Sequence, residues 1–324
     1  MLIDQAKLDV ANTLVHDRYS SIFGGANVGQ LDSIIDVIPS SALNNEIPFV
    51  APSGTWERWL DEKKISHLKA YKQTIEFRSY HLTLELARRE LAYDSAGVVG
   101  RQVDKLMQKA KADHIKIVVD EMVSASGAGP TAFDAVAWLS TAHPQAAAVG
   151  GVQVNKTTSA LSFTTYDAAQ QAMMGYVGDD GQPLGIFGDT LIVGPKNRKM
   201  AADIAGPLRP VSVQNSGVFN EQGSGIGGTA QVGGIVLPNV FQGDNLKVIV
   251  SNRLVGTQDD YAYLCCTSLQ DKPFLLVEQR APELITMFDM NSPSRFHEDK
   301  YLWSVETDCC PAPGFPLLTY GFIL

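Results

Sequence analysis

The sequence predicts an α+β protein, and three observations carry that prediction. Apolar residues recur with a period of two from Ile65 to Leu86 and with a period of 3.6 from Gly97 to Ser124. Through the C-terminal third they fall in short strand-like runs divided by turn residues. With 324 residues, 45% of them hydrophobic and 19% charged, the chain can bury one large core or two interleaved ones, and its composition points to neither disorder nor a fibrous class.

Residues 1–46 hold a possible short helix, Asp4 to Arg18, a glycine-containing loop, GGANVGQ, and a polar stretch with prolines, IPSSALNNEIP. This reads as an arm rather than a core. A strand follows at Ile47–Val50, and PSGTWERWLDEKK joins it to the long period-two run, so residues 47–86 should form a protruding hairpin. Tyr71, Ile75 and Phe77 occupy one face of that run, with Lys72, Thr74, Glu76 and Arg78 on the other. The phase then slips to Tyr80, Leu82, Leu84 and Leu86, which predicts a bulge or bend near Ser79. Near the tip lie Trp56 and Trp59 among the charges of TWERWLDEKK, an exposed place for two large aromatic residues.

Over 97–124 the residues Val103, Leu106, Met107, Ala110, His114, Ile117, Val118 and Met122 share one helical face, and SGAGP ends the pattern. A helix of that length would be about 40 Å long at about 1.5 Å per residue. Arg101, Lys105 and Lys109 stand at i, i+4 spacing on the opposite face: either a solvated helix face or a contact for a polyanion. Beyond it, TTYDAAQQAMMGYVG suggests a helix and LGIFGDTLIVGP a strand between glycine turns. Residues 206–243 read as a long mobile loop, and DNLKVIVSNRL and YAYLCCTS as strands. PFLLVEQR, PELITMFD and KYLWSVETD then alternate with turns, and the apolar FPLLTYGFIL is expected to dock into a sheet.

The net charge of −9 argues against a dedicated nucleic-acid binder, but the charge is uneven. Glu57 to Lys116 carries 13 Lys/Arg against 9 Asp/Glu, a balance of +4, leaving −13 for the remainder. No apolar run is long enough for a membrane span, and MLIDQAKLDV lacks the pattern of a signal peptide, so a cytoplasmic chain is expected. Cys265 with Cys266 and Cys309 with Cys310 are adjacent pairs, a spacing that suits neither a zinc site nor a secreted disulfide framework; they read as reduced, buried hydrophobes.

Nothing assembles a catalytic constellation. Gly223, Gly225 and Gly228 match GxGxxG, but TAQVGG follows where the dinucleotide fingerprint needs a helix N-terminus, which leaves a nucleotide-binding enzyme as a distant alternative. The six histidines are scattered without metal spacing; His114 and His143 read as structural. Asp179 with Asp180, Asp259 with Asp260, and Glu298 with Asp299 read as solvated turns. The sequon at Asn155 means little without secretion. No cofactor and no metal are expected.

MLIDQAKLDVA, the run from Ile47 to Tyr93 (most specifically IPFVAPSGTWERWLDEKKISHLKAYKQTIEFRSYHLTLELARREL), STAHP and FHEDKYLWSVETD strongly resemble the major head subunit family of Mu-like phages. The resemblance spans essentially the whole chain. The glycine-rich stretch 215–234 and the cysteine pairs depart from the family pattern. It implies an HK97-type capsid fold with an N-terminal arm at 1–46, an E-loop at 47–86 and a P-domain at 87–140 with a spine helix at 97–124. An A-domain at 141–281 and C-terminal P-domain strands at 282–324 would complete it. It further implies a non-enzymatic shell protein that self-assembles into hexamers and pentamers of an icosahedral head around double-stranded DNA. Assembly would take place in the bacterial host cytoplasm with portal, scaffold and cement proteins as partners, away from any membrane. On this reading Trp56, Arg58 and Trp59 would anchor the E-loop on a neighbouring subunit, with Tyr71 and Phe77 as further intersubunit residues of the loop. Glu57, Asp61, Glu62, Lys63 and Lys64 would set its register. Arg101, Lys105 and Lys109 would face the genome. An encapsulin-like compartment of the same fold is the nearest alternative.

Overall fold

A computed structural model of the chain describes residues 5–23, 31, 33–40, 45–50, 70–87, 89–90, 98–124, 127–145, 150–178, 181–211, 235–287, 294 and 298–324. The period of 3.6 becomes α2 (Val98–Met122), which buries Val103, Met107, Ala110, Val118, Val119 and Met122 and leaves Leu106, His114 and Ile117 partly covered. The segment that follows turns at Gly127 and Gly129, whose φ angles of 80° and 73° favour glycine. A Cβ on Gly129 would sit 2.8 Å from the Trp138 ring, so the close approach requires it as well.

Helix α1 (Gln5–Phe23) runs past Arg18 and lies along α2. Val15 is buried there, Arg18 Nε meets Asp104 Oδ1 at 3.0 Å, and Lys111 Nζ donates to the Ile22 carbonyl at 3.2 Å. The expectation that this helix stands outside the core is therefore corrected: Val15, Tyr19, Ile22 and Phe23 pack with the long sheet and α2.

That long sheet has the order β1 (Ile35–Pro39), β13 (Phe274–Met287), β14 (Lys300–Pro313), β4 (Arg78–Ala87). β1 runs parallel to β13 and the other pairs are antiparallel. Alternate residues Tyr301, Trp303 and Val305 of β14 and Leu84 and Leu86 of β4 pack on α1 and α2, as period two demands. Two expectations change here. PFLLVEQR and PELITMFD form one continuous strand, because Pro282, which cannot donate to a ladder, falls where the β13–β14 register shifts between Arg280 and Glu283. The run from Ile65 to Leu86 is not one strand. It breaks at Glu76–Phe77, two residues before Ser79, into β3 (Ala70–Ile75) and β4, and the two belong to different sheets.

The second sheet has the order β11 (Lys247–Val250), β8 (Thr190–Val193), β12 (Ala262–Cys265), β15 (Thr319–Phe322), β7 (Lys156–Thr157). It is a middle layer. Ile192, Ile249, Tyr263 and Cys265 face α2, β1 and β13, whereas Leu191, Val193, Ala262, Leu264 and Phe322 face α3 (Phe163–Met174) and α4 (Arg198–Ala205). Burial on both sides explains why β8, β12 and β15 are apolar or small without alternation. α3 starts with Ser162 and Thr165 in a reciprocal capping box. The apolar C-terminal segment docks in this sheet as expected. The loop reading of 206–243 needs correction: β9 (Leu208–Val211) pairs antiparallel with β10 (Ile235–Pro238), and a 3₁₀ turn spans Val240–Asp244. The GxGxxG stretch lies outside the described residues.

Candidate intersubunit surfaces

Strand β2 (Asn45–Val50) pairs antiparallel with β3 from Asn45↔Ile75 to Val50↔Ala70, so the ladder is a true hairpin. Trp56, Arg58, Trp59, Asp61, Glu62, Lys63 and Lys64 belong to the segment joining its ends and lie outside the described residues. Tyr71 is opposite Phe49 in the ladder. Phe77, expected to reach a neighbour, is half-buried against Ile75, Leu275, Val277, Cys310 and Ala312 of its own chain. The base of the hairpin is tethered as well, by Gln73 Nε2 donating to the Thr131 carbonyl at 2.9 Å.

Arg101, Lys105 and Lys109 are exposed on the face of α2 away from its buried stripe. Among the described residues neither Lys105 nor Lys109 has an acidic partner, whereas Lys116 reaches Asp120 at 3.9 Å. The structure thus brings the three cations into one row, as their spacing requires.

The face of the long sheet turned away from α1 and α2 went unnoticed in the sequence. Its cross-strand rows read Met287–Leu302–Glu85, Ile285–Ser304–Thr83 and Glu283–Glu306–His81. Ile285 and Met287 are 41% and 44% exposed, and Glu283 lies directly opposite Glu306, an unfavourable like-charge pair. Arg280 offsets part of this charge, at 3.3 Å from Glu306 Oε2 and 3.0 Å from Asp308 Oδ2. The signal existed in the alternation of β13, but only pairing with β14 and β4 shows which residues share a row.

His114 and the cysteines lie in the interior, whereas His16 and His81 are exposed. His114 Nε2 is 3.2 Å from Glu278 Oε1, while its buried Nδ1 has no partner among the described residues. All four cysteines are buried and free, and burial pushes the Cys265 and Cys309 thiols up to about 12. Asp259 and Asp260 both meet Lys196, at 3.4 and 2.6 Å. Among the described residues no group of three or more His, Cys, Asp or Glu could hold a metal ion, and no helix is long and apolar enough to cross a membrane.

Comparison with known proteins agrees with this architecture. The family model for the Mu-like prophage major head subunit gpT matches residues 8–159, 152–217 and 238–322. Among solved structures, the procapsid of bacteriophage JBD30 is similar with a TM-score of 0.54 at 16% identity, covering 98% of this chain and 75% of that one. The bacteriophage JBD30 capsid follows at 0.51 and 11%, covering 93% and 68%. The capsid of an empty GTA particle has a TM-score of 0.50 at 9% identity, covering 91% and 89%. No curated protein matches. The chain belongs to the Mu-like prophage major head subunit gpT family: it has the HK97-type α+β fold and is a structural protein of the virion capsid, not an enzyme, forming a shell from copies of itself.

Proposed function

We propose that the chain forms the hexamers and pentamers of an icosahedral head that encloses double-stranded DNA. The observation that carries this reading is the β2–β3 hairpin, whose ladder ends at Val50 and Ala70 and leaves residues 51–69, with Trp56 and Trp59, to span the gap. In this reading residues 47–86 are the E-loop, α2 is the spine helix, residues 87–140 and 282–324 make the P-domain, and 141–281 make the A-domain toward the capsomer centre. In this reading residues 1–46, whose α1 packs on α2 and whose β1 joins the long sheet, take the position of the N-terminal arm. Trp56, Trp59 and Arg58 anchor the loop on a neighbouring subunit, where truncating a hot-spot residue costs about 2 kcal/mol or more. Asp61, Glu62, Lys63 and Lys64 set its register, Tyr71 adds to the intersubunit contact, Phe77 fixes the base of the loop to its own chain, and many such loops close the shell by avidity. Arg101, Lys105 and Lys109 soften the repulsion between an acidic shell and packaged DNA. Portal, scaffold and cement proteins are its partners, and assembly takes place in the host cytoplasm.

The double variant Trp56→Ala/Trp59→Ala tests this. It should give a soluble, folded subunit that fails to form stable shells when expressed with the neighbouring phage genes, as read by electron microscopy. Wild-type shells from the double variant would overturn the anchoring role.

A further inference from the structure

We infer that the face of the long sheet turned away from α1 and α2 receives residues 56–64 of a second copy, with a tryptophan on its apolar end and lysines on its acidic row. This rests on the reading of residues 47–86 as a loop that reaches a neighbouring subunit, and it adds where that loop lands.

The face is ordered and carries two chemistries. β4 and β14 pair from Lys300↔Ala87 to Cys309↔Arg78 without a register shift, and β13 flanks β14 on the other side. At one end Ile285 and Met287 stand exposed, and Leu302, opposite Met287, is only partly covered. Val152 is more exposed still, at 57%, but its strand β6 (Val152–Gln153), paired with β5 (His143–Pro144), is two residues long and offers no extended row to a partner. Along β13 from Met287, Glu283 lies opposite Glu306. Arg280 serves Glu306 and Asp308, Lys300 serves Glu85 and Glu298, and Glu283 has no cationic partner among the described residues. Like charges directly opposite in a ladder are destabilising, and a cation brought from outside would remove that cost.

The chain itself holds a segment of matching chemistry. Of its four tryptophans, Trp138 and Trp303 are buried in their own subunit, which leaves Trp56 and Trp59. Lys63 and Lys64 follow Trp59 by four and five residues. Four residues of extended chain reach about 13 Å, the same run as along β13 from Met287 to Glu283. Trp59 can therefore cover Ile285, Met287 and Leu302 while Lys63 or Lys64 meets the Glu283–Glu306 pair. Residues 51–69 carry Arg58, Lys63, Lys64 and Lys69 against Glu57, Asp61 and Glu62, a balance of +1. The face carries Glu85, Glu283, Glu306 and Asp308 against Arg280 and Lys300, a balance of −2. Opposite signs favour this pairing, whereas two such faces would repel each other. An aromatic anchor on an apolar patch with charges beside it is the arrangement in which interface energy concentrates.

The test places the photoreactive amino acid benzoylphenylalanine at position 59, in particles assembled from mixed heavy- and light-isotope subunits with the neighbouring phage genes. After irradiation, mass spectrometry should find links between copies that join position 59 to residues 283–287 or 302–306. Links between copies that map elsewhere overturn the receiving face and leave the loop reading standing. Links confined to one copy overturn both. Should the position 59 variant not assemble, the same probe at position 285 should link to residues 56–64 of another copy, and links between copies elsewhere overturn the face. Charge exchange gives an independent reading. Glu283→Lys/Glu306→Gln removes the like-charge pair, so the folded subunit should keep its urea midpoint, while the yield of shells falls about tenfold or more. Adding Lys63→Glu/Lys64→Glu to the same chain should restore the yield. Normal shells from the first variant, or no recovery in the second, overturn the inference.

Discussion

Replacing Asn155 by Leu keeps an interior side chain of similar bulk and removes every polar atom. The native side chain makes four hydrogen bonds in full burial: two donated, to the Trp138 and Pro316 carbonyls, and two accepted, from the Ser140 amide and His143 Nε2. At about 1 kcal/mol net per bond the loss is about 4 kcal/mol, more if the stranded partners find no water. Urea unfolding of the full-length subunit, followed by tryptophan fluorescence, should show the midpoint falling by roughly 1 M or more for an m-value of about 3 kcal/mol/M. Asn155→Asp sharpens the test, because it keeps both acceptor roles but turns a carboxylate toward two carbonyls; it should cost at least as much as Leu. A fall below about 0.3 M for Asn155→Leu, equivalent to about 1 kcal/mol, would mean that the four bonds do not carry the junction.

Two further outcomes follow from burial and charge. With the Cys265 and Cys309 thiols raised to about 12 by burial, the folded subunit at about pH 8 should resist iodoacetamide at both sites and react there only after denaturation. Labelling of the native protein at free-thiol rates would refute the burial. The same shift stabilises the fold fully below pH 9.0, the ordinary thiol value, and that contribution is lost as pH rises toward about 12. The charge reversal Lys105→Glu/Lys109→Glu should leave folding unchanged and make filled particles lose DNA at lower stress and with altered salt dependence; unchanged retention would remove the stripe from the genome-facing surface.

Legibility in the sequence tracked periodicity. The stripe of α2 was readable because Val103, Met107, Ala110, Val118 and Met122 are held by one continuous interface, and β8 and β12 because both their faces are buried. Joins were not. Glu76–Phe77 marks a change of partner from β2 to β14, and neither residue breaks strand propensity. Pro282 mimics a turn, yet falls at a register shift within one strand. β9 and β10 are brought together across residues 212–234, which no local pattern announces. Asn155 carried a misleading signal, a sequon, while its role depends on carbonyls 17 and 161 residues away. The acidic row of the long sheet was likewise illegible, since Glu283 and Glu306 meet only through strand register.

β15 lies between β12 and β7, strands that precede it by more than fifty and by more than a hundred and fifty residues. During synthesis the sheet must wait with a vacant slot, since β12 and β7 do not pair with each other and the cores on both sides need Phe322 and Ile323. Such long-range closure is slow relative to helix formation. Because β15 supplies Phe322 to the core on one side of the sheet and Ile323 to the core on the other, its pairing is the step that closes both cores together.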